Sequence, residues 1–519
     1  MPDEMFDIRY RKGLPDELRR MQDHVEAIAK DAGLDFFPVV FEMVEPEEMS
    51  MLAAYGGFPT RYPHWRFGME FEQLQKSYVY GLSKIYEMVI NTDPCYAYLM
   101  NCNALVDQKL VMAHVYGHCD FFKNNMWFGH TNRKMLDAMA NHATRIRRII
   151  DRFGTERVEE FIDCCLSVEN LIDVHGAAIR RQRDDEDPIR AAIRARHAEG
   201  GDPELPDANH FKADVDRSYL DEYVNPPDKV MARRERALQE SLEPKKHPEH
   251  PERDVLGFIL ANAPLHGWEA DILSIVREEA LYFAPQGQTK IMNEGWATFW
   301  HTKLMTEKLA SAEEIVDYAD HHSGTVAQSP YRLNPYKLGV ELFRDLEARW
   351  DTGRHGPEFE ACDDMERKRN WFVDERGGLA KVFEVRRIYN DLQFVDAFLT
   401  EDFCREHGFF AYGYDKKAKQ YVIESRQFAE VKAKLLDQLT NFGQPIIDVI
   451  DGNHDNRGEL LLGHTHTGSD LQLDWAETTL QNLTRLWKRP VALETSIDGK
   501  RVRLRHDGAE FSQAPVAEA

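Results

Sequence analysis

Long apolar runs are missing from this chain. No stretch approaches the roughly 20 apolar residues that a membrane-spanning helix needs, and mean hydropathy is −0.55. A membrane span is therefore not expected. The amino terminus, MPDEMFDIRY, has neither the basic n-region nor the apolar h-region of a secretory leader, so the cytoplasm is the expected address. Paired cysteine spacings are missing too. The seven cysteines are odd in number and form no C-x-x-C, which excludes a disulfide framework and a zinc knuckle. Cys164 and Cys165, in FIDCCLSV, read as buried thiols in a reducing compartment. Positive charge is short: the formal net charge is −24 at pH 7. Nucleic-acid backbones need a basic face, so no nucleic-acid partner is expected. The acidity reads as solubility, or as a dock for a basic partner. No internal repeat is evident.

What is present is enough for two or more folded domains: 519 residues, 43% of them hydrophobic. Helical periodicity dominates the first four hundred. Residues 14–31 form an amphipathic pattern. From Gly68 a stripe of Leu74, Tyr78, Leu82, Ile85, Met88 and Val89 predicts one helix up to the break at Asp93-Pro94. A second long helix is predicted over 96–123. The segment 181–253 is charged and proline-rich, with Asp184-Asp185-Glu186-Asp187 and HPEHP, and reads as a surface insertion. Helical patterns resume over 254–408. From 409 the pattern changes to short strand runs and hairpins, in the order ββαββαββ. The expected fold is a mainly α N-terminal region with a zincin-like helical metal-site core, followed by an α+β domain of ferredoxin-like order. The expected divisions are 1–180, 181–253, 254–408 and 409–519.

Two segments carry candidate chemistry. In AHVYGHCDFFKNN, His114 and His118 are four residues apart in a predicted helix. That spacing turns both imidazoles to one face, as a helix offers two nitrogens to zinc. In MNEGWATFWH, Glu294 opens a second helix, and His301 follows seven residues later on nearly the same face. Zincins with a Glu third ligand take it from such a downstream helix. The candidate metal residues are therefore His114, His118, Glu294 and His301, with Zn2+ as the ion. Two helical turns rise about 10.5 Å, so His301 fits an outer position, bonded to a ligand, better than direct ligation. The bland alternative is a buried polar network without metal.

One position departs from an active zincin. H-E-x-x-H places its general base directly after the first His, and here that residue is Val115. A valine cannot move a proton, and losing general acid–base catalysis removes roughly 10²–10⁴ in rate. Glu278, Glu279 and Tyr116 are the candidate substitutes. GNHDN and GHTH mimic metallophosphoesterase blocks, but the upstream D-x-H and G-D-x-x-D blocks are missing. His464 and His466 alternate along a strand and share a face.

The segments HVYGHCDFFKNN, QTKIMNEGWATFWH, SPYRLNPYKLGVELF, NRGELLLGHTHTGSDL and TRLWKRPVALETS, in that order, resemble the SpoVR (stage V sporulation protein R) family. The resemblance spans about residue 14 to the last hairpin. It implies a bacterial cytoplasmic protein of a stress, dormancy or spore-cortex system. The implied partners are a PrkA-type AAA+ serine kinase and a von Willebrand-A-like protein. It names no reaction, and Val115 looks like a family feature. Three readings stay open: a catalytically altered metal-binding component of a kinase-linked complex, an active metallohydrolase with a non-standard base, and a metal-free scaffold.

Overall fold

The computed structural model describes residues 13–79, 87–176, 225–242, 247–327, 333–415 and 420–516. Within these the chain is mainly helical and ends in a five-stranded sheet. It folds as two compact units, Met1–Ile172 with Leu265–Ile446, and Asp173–Pro264 with Ile447–Ala519.

The first unit opens with α1 (Asp16–Asp31), which buries Leu18, Val25 and Ala29 at helical spacing. Next come β1 (Val39–Val44), α2 (Pro46–Ala54), α3 (Trp65–Val79), β2 (Glu87–Ile90) and β3 (Cys95–Met100). β3 lies in the middle of a three-stranded sheet, parallel to β1 and antiparallel to β2. These strands correct the sequence reading, which ran one helix through Met88 and Val89 and started another at 96. EMVI and CYAYLM are rich in β-branched and aromatic residues, and such short apolar runs satisfy either period.

α4 (Leu105–Asn124) is buried on every side from Val111 to Phe122, as a helix at the centre of a unit must be. α5 (Met135–Phe153) and α6 (Thr155–Leu166) follow. α7 (Pro227–Leu242) and α8 (Val255–Asn262) belong to the second unit. Residues 181–224 and 243–246 of the predicted surface insertion lie outside the described residues. The first unit resumes with α9 (Gly267–Gln288), α10 (Lys290–Leu304), α11 (Ile315–Thr325) and α12 (Pro335–Asp351). It continues through α13 (Gly378–Ile388), α14 (Asp391–Phe398), α15 (Glu401–His407), β4 (Ala411–Asp415), β5 (Gln420–Ser425) and α16 (Phe428–Leu439).

The ferredoxin-like order does not form. Among the described residues β4 and β5 pair only with each other. α16 buries Val431 in the first unit's core, with Leu435, Leu436 and Leu439 packed against it, so this apolar face holds the hairpin region to the helical unit. The change of unit therefore falls at 446–447, not at 409. The second unit's sheet runs β10-β9-β8-β7-β6, built from β6 (Ile446–His454), β7 (Glu459–Thr465), β8 (Val491–Ile497), β9 (Lys500–His506) and β10 (Phe511–Pro515). α17 (Leu473–Trp487) connects the parallel pair β7 and β8, and it buries Leu480, Leu483, Leu486 and Trp487.

Candidate metal centre

The site is built on the crossing of α4 and α10, which run antiparallel and meet in layers. His114 faces His301, Gly117 faces Ala297, His118 faces Asn293, and Asp120 faces Trp296. A Cβ on Gly117 would lie 2.8 Å from the Ala297 Cα, so only glycine lets the helices approach this closely. The Trp296 indole donates to Asp120 at 2.8 Å, Arg386 flanks the same carboxylate at 3.4 Å, and the Asp35 amide donates at 2.8 Å. Burial pushes Asp120 up to about 6 against these partners. The first turn of α10 is held in trans by Asp391, which accepts from the Ile291 and Met292 amides at 2.8 Å each. These donors would otherwise be orphans of the helix terminus. Burial pushes Asp391 up to about 7 despite them.

At this crossing four side chains converge: Glu87 from β2, His114 and His118 from α4, and Glu294 from α10. One ligand atom from each lies within 4.8 Å of all the others. His114 Nε2 is 3.1 Å from Glu87 and 3.7 Å from Glu294. His118 Nε2 is 3.4 Å from Glu294 and 3.9 Å from Glu87. The imidazoles are 2% and 4% exposed, so what they face is not bulk water. His114 Nε2 and Glu294 Oε2 are buried and have no hydrogen-bond partner. Buried polar atoms are almost always paired, and two that aim at one point fit a cation.

Both histidines are held from behind, as metal-ligating histidines are. With a cation at the centre each Nε2 would turn its lone pair to it, and each Nδ1 would carry the proton. His118 Nδ1 then donates to Asn293 Oδ1 at 2.9 Å. His114 Nδ1 donates to His301 Nδ1 at 2.8 Å. His301 is thereby fixed as an acceptor at Nδ1 and a donor at Nε2, which meets His322 Nδ1 at 3.2 Å. Burial and the neighbouring His114 hold the His301 pKa well below its ordinary value, consistent with a neutral ring. Tyr336 stands in the first turn of α12, and its pKa is raised by burial and by the charges of Glu294 and Glu87.

Without an ion the same atoms hold protons. Burial opposes a charge on His114, but Glu87 and Glu294 prevail and raise its pKa from 6.5 to about 9. Burial alone would raise Glu294, yet the His114 and His118 imidazoles beside it bring it far below 4.5. The raised histidine contributes stability that is complete below pH 6.5 and lost as pH rises through about 9. The depressed glutamate contributes stability that is complete above pH 4.5 and lost on acidification. Chelator-treated protein is therefore expected to show its largest contribution from this pair between pH 4.5 and 6.5. Its thermal midpoint should fall between pH 6.5 and 9, and His114→Gln should flatten that fall. A midpoint equally pH-dependent in the variant would show that the pair is not the source.

The structure brings His114, His118 and Glu294 together and places His301 behind His114 rather than at the centre. The proposed substitute bases are elsewhere. Tyr116 donates to Glu26 at 3.1 Å. Glu279 binds Arg61 at 2.7 Å and His142 at 3.1 Å, and Glu278 lies 3.3 Å from the other nitrogen of His142. Val115 is fully buried in the core. Sequence reasoning missed Glu87, because its segment was fitted to a helix and only tertiary packing brings this strand to the histidines. In the second unit, His464 binds Thr495 and His466 binds Asp470, each at 2.8 Å.

Comparison with known proteins finds similarity along nearly the whole chain. The model of the family described as "SpoVR like protein" matches residues 13–444, and that described as "SpoVR-like C-terminal domain" matches 445–498. The chain belongs to the SpoVR family. A relative named "Uncharacterized protein YcgB", from Escherichia coli (strain K12), is 30% identical over 500 residues, covering 91% of this chain and 90% of its own. No solved structure matches. Every residue of the candidate centre lies within the larger SpoVR match, and the SpoVR-like C-terminal match begins where the second unit's sheet begins. None of the described helices is long and apolar enough to cross a membrane.

Proposed function

We propose that this SpoVR-family protein holds one divalent metal ion between Glu87, His114, His118 and Glu294, in a zincin-like helical site that lacks zincin catalysis. The single observation that supports this is the convergence of four ligand atoms within 4.8 Å in a buried setting, two of them without any other partner. Two imidazoles and two carboxylates suit Zn2+, whose sites use these groups at about 2.0–2.2 Å. When bound, the ion would supply Lewis acidity and fix β2, α4 and α10 to one another. His301 and Asn293 would fix the tautomer and aim of each imidazole. Four protein donors fill a tetrahedral shell, which is the pattern of structural rather than catalytic sites.

Glu87 favours a second reading. It alone comes from a strand, and it faces the three-residue set that a zincin would use. In that reading His114, His118 and Glu294 bind, and Glu87 takes a proton from water in place of the missing base beside His114. Tyr336 would then offer its hydroxyl to the opposite side. Metal analysis of protein purified without an affinity tag, as wild type and Glu87→Gln, tests both. About one ion per chain in wild type, with affinity falling at least tenfold in Glu87→Gln, supports the closed site. Retained metal in Glu87→Gln, together with a chelator-sensitive hydrolysis that this variant loses, supports the second reading. A metal-free wild type overturns both.

The cellular role that fits is a component of a stress, dormancy or sporulation system in the cytoplasm. It would work with a PrkA-type AAA+ serine kinase and a von Willebrand-A-like protein. Family membership is what supports this role, and co-purification from cells, with and without the metal ligands, is its test.

A further inference from the structure

On the first unit, away from the metal centre, the end of α5, the start of α6 and the start of α9 line an open, solvent-facing pocket of about 660 Å³. This falls within the roughly 300–1,000 Å³ common for small-ligand sites. Arg148 and Arg152 come from α5, Arg157 from the first turn of α6, and His266 caps α9. The pocket's acid, Asp271, is engaged by Arg145 at 2.9 Å. Arg148, Arg152 and Arg157 have no carboxylate partner among the described residues. In a chain of net charge −24, three unneutralised guanidinium groups in one concavity need an explanation.

The dipole of α5 accounts for part of it, since cations are favoured at a helix C-terminus. It does not account for Arg157, which stands at a helix N-terminus, where a cation is disfavoured. Arg157 is held there by stacking. Its guanidinium lies 5.1 Å from the Trp268 ring and 5.9 Å from Phe153. Arg152 lies 5.2 Å from Phe153. The two rings are themselves stacked at 5.2 Å. Guanidinium forks match phosphate oxygens, and the adjoining aromatic pair offers a π surface to a planar ring.

The geometry points to a binding site for a nucleoside phosphate, with Arg148, Arg152 and Arg157 on the phosphates and the Trp268–Phe153 stack against the base. This site is independent of the metal centre.

The test is calorimetric titration of the full-length protein with ATP, run on wild type, on Arg148→Glu/Arg152→Glu and on Trp268→Leu. The two arginines are on the exposed end of α5, so their reversal should leave the fold intact by circular dichroism. ATP should saturate one site, the double variant should weaken it at least about tenfold, and Trp268→Leu should also weaken it. His114→Ala should bind ATP as wild type does, which separates this site from coordination at the metal centre. No saturable ATP binding below about 1 mM, or equal binding by the double variant, overturns the proposal. Tripolyphosphate binding as tightly as ATP also overturns it, because the aromatic stack would then have no ligand to read.

Discussion

Protein carrying His114→Ala, purified without a tag, is expected to retain little metal while wild type retains about one ion per chain. The substitution removes a ligand whose Nε2 is 3.1 Å from Glu87 and 3.7 Å from Glu294. It also leaves two partly buried carboxylates facing each other. The loss of affinity should exceed that of an outer partner, for which roughly 10–100-fold is typical. His301→Gln supplies that comparison. It removes the acceptor of the 2.8 Å bond from His114 Nδ1, so the imidazole keeps its place but loses its orientation. The order wild type, His301→Gln, His114→Ala in falling affinity is the signature of a ligand and its support. A different pattern belongs to a metal-free polar network. There wild type would carry no ion at any step, and His114→Ala would only lower the thermal midpoint, by leaving Glu294 without its charged partner.

How much of this centre could be read from the sequence follows from how each residue reaches it. His114 and His118 are one helical turn apart, and a periodicity of 3.6 suffices to place them side by side. Glu294 reaches them only through tertiary packing. It was legible because its segment resembles a known motif, not because any local rule brings α10 onto α4. Glu87 had neither aid. It begins a four-residue strand in a stretch whose apolar residues also fit a helical stripe, and only pairing with β3 decides between the two. His322 and Tyr336 reach the site from α11 and α12, at distances in sequence that no pattern spans. The boundary at 409 failed for a related reason. The switch from helix to hairpin there is real, but unit membership is decided by where α16 buries Val431, which composition alone does not show.

Replacing Gly339 by alanine is expected to destabilise the first unit strongly. α10 and α12 cross through Gly295 and Gly339. A Cβ on Gly339 would lie 2.2 Å from the Ile291 carbonyl oxygen and 2.6 Å from the Gly295 Cα. A Cβ on Gly295 would lie 2.4 Å from the Gly339 backbone. The obstructing atoms are backbone on both sides, so no side chain can rotate away and the helices must separate. That separation would loosen Trp296 from Phe343, whose rings are 5.4 Å apart, and overpacking of this kind costs about 1–3 kcal/mol, occasionally more. It would also shift Glu294, the residue before Gly295, against the two histidines of α4. Metal bonds of about 2.0–2.2 Å tolerate little such movement. Gly339→Ala should therefore lower the thermal midpoint and the metal affinity together. Gly68→Ala is the matched control. It lies inside α3 with nothing within 4 Å of the added Cβ, and there alanine should stabilise the helix by up to about 1 kcal/mol. Equal thermal midpoints for Gly339→Ala and wild type would show that the crossing is looser than these distances require. A lower midpoint with unchanged metal affinity would instead separate the Gly295–Gly339 contact from the positioning of Glu294, leaving Asp391 at the first turn of α10 to do that work.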